Sequence, residues 1–345
     1  MKGKKTFLLT VMMVAAVAVG LILAGCSGPG SGDEMHPTAS PVPEESPTLT
    51  LSPPEPSVTP SPAPEDNSAD DEAAKAEAAA TAEPAADEPA PSPTQDPRLP
   101  PEEWRSWPVI PTLSPAMIEV YQRGLAMGNR PDRFSKVGDC QIIPKVFLGL
   151  YDQGTYNLPE DLTHLEKTID QFSGSFAREG MALKGGFVFP TVFSPLRADA
   201  SVCEPGETPY ECELRVHQPS FVLISMEFRY EGRTAETHER YLRKAVEYAL
   251  ARGIVPILAT KADNFEGDHS LNLTTAQIAY EYDLPLFNYW LAVQPLPDHG
   301  IDWERDSYGF HVTPEAWLVR SRTFLRVLDA LWRQAEQAVN SGSGA

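Results

Sequence analysis

Two residues in this chain have the chemistry for acyl transfer, and they lie near opposite ends of its apolar part. Cys140 sits in "FSKVGDCQ", Phe134 to Gln141, where a short strand runs into a tight turn. His311 closes Tyr308-Gly309-Phe310-His311, directly ahead of the helix-opening triplet Thr313-Pro314-Glu315. A thiol with an ordinary pKa near 8.5 ionises far more easily than a hydroxyl, so a nearby imidazole can activate it without an acidic helper. Asp306 and Asp302 share the loop with His311 and are candidates to orient its ring. The plain alternative for Cys140 is the usual role of a free cysteine, a small buried hydrophobe. The chain has 4 cysteines. Cys203 and Cys212 flank "EPGETPYE", a polar, proline-containing loop expected to close as a disulfide outside the cell.

The elements that must position these residues alternate strand with helix. "FSKV" reads as a strand, "EDLTHLEKTIDQF" as a helix, "PSFVLISMEF" as a strand and "ETHERYLRKAVEYALARG" as a helix ended by Gly253. "IVPILAT", "TAQIAYEY" and "LPLFNYW" then read as strand, helix and strand, before a long final helix. The pairs Tyr241/Leu242, Ala245/Val246 and Ala249/Leu250 recur every four residues, one apolar stripe to lay on a sheet. The pattern predicts an α/β fold, a three-layer α/β/α sandwich with a mostly parallel, flavodoxin-like sheet. Ligands on such a sheet bind beyond the carboxyl ends of the strands. Those ends carry Asp139 and Cys140, then Glu227 to Arg229, then Lys261, Asp263 and Asn264, and finally the His311 loop.

"TKADNFEGDH" is rich in oxygen ligands but lacks the calcium-loop register, and the 7 histidines show no zinc spacing, so no metal and no cofactor are expected. His217 and His238 are expected at the surface. Trp290, Trp303, Tyr308 and Phe310 cluster in the later loops, where core packing is the default and stacking on a sugar ring the alternative.

Upstream, Lys2, Lys4 and Lys5 precede an apolar run from Phe7 to Leu23 that ends in Leu23-Ala24-Gly25-Cys26. Basic, apolar and small-residue parts in that order make a secretory signal, and small residues directly before Cys26 resemble a bacterial lipobox. Residues 1–26 are thus expected to be a signal with Cys26 lipidated, 27–100 a disordered Pro/Ala/Ser/Thr/Glu-rich stalk, 101–339 one α/β domain and 340–345 a flexible tail. The expected place is extracytoplasmic, on the outer face of the cell membrane, with the membrane as partner through Cys26 and the chain a monomer. A formal charge of −20 argues against binding nucleic acid.

The order of blocks resembles the SGNH or GDSL hydrolases. Gly138-Asp139-Cys140 matches that family's Gly-Asp-Ser turn with Cys140 on the serine, and Gly185-Gly186 in "LKGGFVFP" offers its second-block glycine. "ISMEFR" follows the middle strand with Glu227 near the oxyanion-hole asparagine, and Tyr308 stands where the family has aspartate, ahead of His311. The resemblance implies an oxyanion pocket at Gly185 or Gly186, Glu227 and Tyr308, and Arg229, Lys261, Asp263 and Asn264 are candidates to line it from their place at strand ends. A carboxylate at Glu227 would repel a developing oxyanion unless it is protonated or neutralised by Arg229. Two functions stay open. One is a surface-tethered ester hydrolase acting through Cys140 and His311, for instance on acetyl groups of polysaccharide. The other is an inactive domain that keeps the pocket to bind a glycan or acylated ligand.

Overall fold

The computed structural model describes residues 99–226 and 234–342. The expectations for the signal, Cys26 and most of the stalk, and the candidates Glu227 and Arg229, lie outside the described residues. Four parallel strands, β1 (Arg130–Gly138), β2 (Pro219–Ser225), β3 (Val255–Ala259) and β4 (Leu286–Phe287), lie side by side in that order. Helices α1 (Pro115–Ala126), α2 (Gly149–Asp152), α3 (Glu166–Gln171), α4 (Phe189–Val192) and α5 (Pro209–His217) precede or follow β1. The later helices are α6 (Ala235–Ala251), α7 (Ser270–Glu281), α8 (Tyr289–Val293) and α9 (Pro314–Gly342).

On the outer edge of β1, Gly138 forms a single parallel bridge with Leu183. Counting that bridge as a vestigial strand, the chain leaves β1 to one side, returns across it to β2 and continues outward, the doubly wound order 2-1-3-4-5. The switch point of that order is the carboxyl end of β1, where Cys140 sits. Helices α1, α3 and α9 pack together on one face, and α4 to α7 on the other. Every residue of β2 is buried, as a central strand covered on both faces requires. Lying against this sheet, Phe324 of α9 meets the rings of Phe134, Phe147 and Phe287 at 6.2, 5.6 and 5.7 Å.

Several expectations need correction. "LPLFNYW" yields only two strand residues, because Asn288 accepts a hydrogen bond from Leu291 N at 3.2 Å and starts α8. The helix α5 begins inside the stretch expected to be loop. Thr208 and Glu211 make a capping box around Pro209, two signals that read as a turn until the residues after them are seen to pack. The helix α1, capped by Ser114 with Pro115 behind it, was not anticipated. His217 and His238 are buried rather than on the surface. His238 Nε2 meets Thr275 Oγ1 at 3.0 Å, and His217 Nε2 lies 3.4 Å from Ser175 Oγ.

Burial, aided by the charge of Lys261, pushes the His238 imidazole down to about 3. Burial and then Arg178 push His217 down to about 4. The unfolded chain takes up these protons near pH 6.5 while the fold refuses them, so stability held above that pH is lost as it falls toward 4. A His238→Gln chain is expected to show a flatter fall of urea midpoint between pH 6.5 and 4 than the parent. Phe324→Ala is expected to cost about 3–5 kcal/mol in the same measurement at pH 7.

Candidate active site

The turn after β1 is shaped by its own residues. Gly138 has no room for a side chain, since a Cβ there would stand 2.4 Å from Ser225 O and from the Ile142 side chain. Buried Asp139 accepts the amide N–H of Gln141 at 2.9 Å, a local turn that leaves Cys140 half-buried between them. Gly185 lies against the thiol residue. A Cβ on it would be 3.8 Å from Cys140 Cβ, and Gly185 itself is exposed, so the sulfur's surroundings open to solvent on that side. Gly186 follows with φ +80° and open space around it.

Glu213 of α5 sets where Gly185 goes. Its buried carboxylate takes two hydrogen bonds from Arg178, at 3.1 and 3.0 Å, one from Met181 N at 2.9 Å and one from Ser135 Oγ at 2.7 Å. Together these donors hold the Glu213 carboxyl below its usual range, although burial, the largest single effect, opposes them. The segment so pinned then zips to the strand end, with Gly138 N donating to Ala182 O at 3.2 Å and Lys184 N to Gly138 O at 3.4 Å. The α5 helix is itself tied down by a disulfide between Cys203 and Cys212.

His311 is carried by a loop closed at its base, where Ile301 and Val312 form an antiparallel bridge and Asp302 N donates to His311 O at 2.9 Å. Inside the loop, Asp306 accepts from the backbone N–H groups of Tyr308, Phe310 and His311 at 3.0, 3.1 and 3.1 Å. The same carboxylate contacts His311 Nδ1. Burial would raise the Asp306 carboxyl, but these hydrogen bonds outweigh it and keep the group below the usual range. Of the two aspartates considered, Asp306 is thus the one on the ring, while Asp302 Oδ1 accepts from Arg305 N at 3.1 Å. Tyr308, expected to line the pocket, is 58% exposed.

One side chain joins the two halves. Gln141, fully buried, donates from Nε2 to Phe310 O at 2.6 Å and accepts from Trp317 Nε1 of α9 at 3.0 Å. The backbone carbonyl of Gln141 accepts from Arg320 Nη1 at 3.2 Å, and Arg320 Nη2 donates to Ser225 Oγ at 3.0 Å. The residue after Cys140 is therefore bonded to the residue before His311, and the first turns of α9 hold both. Sequence reasoning missed Gln141, Trp317, Arg320 and Glu213. Arg320 left a signal, a charge on the apolar face of an amphipathic helix, between Trp317 and Phe324.

The other candidates separate. Lys261 and Asp263 are buried and paired at 2.6 Å, with Glu266 also on Lys261. Together the two carboxylates keep the ammonium above its usual range, although burial, the largest single effect, opposes them. Lys261 lines a small cavity with Phe189, Met226 and His238, whereas Asn264 is exposed and accepts from His269 N at 2.8 Å. These residues brace a loop. Among the described residues, the grouping with ligand geometry is Cys203, Glu207 and Cys212, whose sulfurs are spent in the disulfide.

No family model matches the chain, and no curated protein does. Among solved structures it is similar to a GDSL-like lipase from Bacteroides thetaiotaomicron, 14% identical, covering 62% of this chain and 98% of that one with a TM-score of 0.39. It is also similar to an acetyl-xylooligosaccharide esterase from Geobacillus, 15% identical over 59% and 96% of the two chains, TM-score 0.38. A third is a two-domain esterase active on acetylated mannans, 16% identical, covering 64% of this chain and 54% of that one, TM-score 0.36. Likenesses this distant carry no argument about what this chain does.

Replacing Gln141 by Leu strands Phe310 O and the Trp317 indole N–H in the interior. The expected cost is about 2 kcal/mol or more in chemical denaturation, since each buried polar group left unmade costs roughly 1–3 kcal/mol.

Proposed function

We propose that this domain hydrolyses esters by acyl transfer to Cys140, with His311 as general base and Asp306 as the group that orients it. The observation that carries the reading is the contact of Asp306 with His311 Nδ1, within a loop bonded through Phe310 to the residue after Cys140. With Nδ1 engaged by the carboxylate, Nε2 is the nitrogen free in role to take the thiol proton. The thiolate attacks the ester carbonyl carbon, forming a C–S bond while the carbonyl electron pair moves to oxygen. Collapse expels the alcohol, which receives its proton from the imidazolium. Water, deprotonated by His311, then cleaves the thioester and returns the sulfur as thiol. The backbone amides around Cys140 and Gly185 are the donors assigned to the developing oxyanion. The reading places the enzyme outside the cytoplasm, tethered through Cys26.

The test compares the full-length chain with Cys140→Ala, His311→Ala and Asp306→Asn on p-nitrophenyl acetate, alongside rates of thiol alkylation by iodoacetamide over pH. Cys140→Ala and His311→Ala should fall to background, and Asp306→Asn should lose at least about 10-fold in kcat. The alkylation profile of the parent should have its inflection well below about 8.5, and His311→Ala should restore it to that value. Hydrolysis that survives Cys140→Ala removes the mechanism. A parent thiol that titrates as an ordinary one leaves the domain as a ligand-binding module.

A further inference from the structure

Trp303 and Tyr308 stand apart from the other aromatic residues of the later loops. Phe310 is buried and Trp290 is half-buried against Trp104, at 5.1 Å, whereas Trp303 and Tyr308 are 56% and 58% exposed. Single exposed apolar residues need no explanation. These two differ because both are held in place. The indole of Trp303 lies directly on Gly309, whose φ of +69° suits glycine and where a Cβ would come within 2.6 Å of the ring. The Tyr308 and Phe265 rings meet edge to face at 6.0 Å and 74°. Phe265 is fixed in turn, its N–H donating to Asp263 at 3.1 Å in the loop locked by Lys261. Between them, Asp306 grips the backbone from Tyr308 to His311. Two aromatic side chains are thus kept more than half exposed, each braced on one side, on the loop that carries the proposed base.

We propose that Trp303 and Tyr308 form a platform for a carbohydrate, the alcohol half of the ester, laid beside His311. The proposal deepens the ester-hydrolase reading by naming its substrate class as an acylated glycan. A pyranose ring has one C–H face that gains dispersion contact and sheds water against an aromatic ring, while its hydroxyl edge stays polar. Rings already fixed in the binding posture pay little ordering cost, which is the reason to brace them. The same loop, "DWERDSYGF", carries Asp302, Glu304 and Arg305 as sequence neighbours of the rings, polar groups of the kind that bind hydroxyls. A fatty acyl chain would need a concave apolar slot rather than outward faces among charges. A nucleic acid is disfavoured by the charge of −20.

The experiment is calorimetric titration of the full-length chain carrying Cys140→Ala with unesterified xylohexaose, mannohexaose and the hexamer of N-acetylglucosamine. At least one should bind, and Trp303→Ala or Tyr308→Ala should weaken it 10-fold or more. Gly309→Ala, which keeps both rings but drives the indole off its seat, should weaken it as well; near-UV circular dichroism of each variant checks the fold. If none of the three sugars binds, or if binding is indifferent to both ring deletions, the platform is wrong. A second arm takes the ratio of kcat/KM on the acetylated form of the bound sugar to that on p-nitrophenyl acetate. In Trp303→Ala this ratio should drop at least 10-fold, chiefly through KM, and an unchanged ratio overturns the platform. Sugar binding by a parent chain that hydrolyses neither ester would sink the acyl-transfer reading alone and leave the platform standing.

Discussion

A single buried amide sets the relation between the two ends of this fold. Gln141 satisfies both polar atoms of its side chain internally, one on the loop before His311 and one on the helix after it. A buried polar group costs free energy unless it is paired, and in a dry interior the pairing geometry is strict. The amide therefore fixes the His311 loop against the turn after β1 as a requirement of burial. Arg320 adds a second clasp by reaching from α9 to both the Gln141 carbonyl and Ser225, so that the ends of β1 and β2 and the start of α9 form one polar knot. Neither Gln141 nor Arg320 needs to meet a ligand to matter to the site.

The other side of the turn after β1 is built on the same principle with charge in place of amide. Glu213 gathers Arg178, Met181 N and Ser135 so that the segment from Arg178 to Gly186 has one path along the edge of β1. Nearby, Lys136 lies buried on β1 and donates to Phe176 O. Burial, opposed by Asp152, Glu213 and Glu179, pushes its ammonium down to about 7. A strand edge that would otherwise be open is thus closed by ionic groups and one bridge, Gly138 to Leu183, rather than by a full strand.

The sequence disclosed the periodic features of the fold and hid those that rest on burial of polar groups. Alternation of apolar strands with the 3.6-residue stripe of α6 suffices for a parallel α/β sheet, because both signals repeat. Leu242, Ala245, Val246 and Ala249 are indeed the buried face. The short helices α5 and α8 were obscure, since Pro209 falls in a stretch that reads as loop and Asn288 in one that reads as strand until the capping bonds of Thr208 and Asn288 are seen. Cys140, His311 and the nearby glycines were legible as chemistry-bearing types at strand and helix ends. Gln141, Lys136, Glu213 and His238 were not, because a polar residue in sequence looks solvated. Only the partner, Phe310 O or Arg178 or Thr275, reveals that it is inside. Trp303 shows the converse, an indole whose exposure depends on a glycine six positions further on.

The bond from Gln141 to Phe310 spans 169 positions of sequence. Contacts that distant are slow to close, because the entropy of the intervening loop is lost before anything is gained. The turn after β1 can pair with β2 before the loop and helix that clasp Gln141 are in place, so the last contacts this region acquires belong to the last part of the chain.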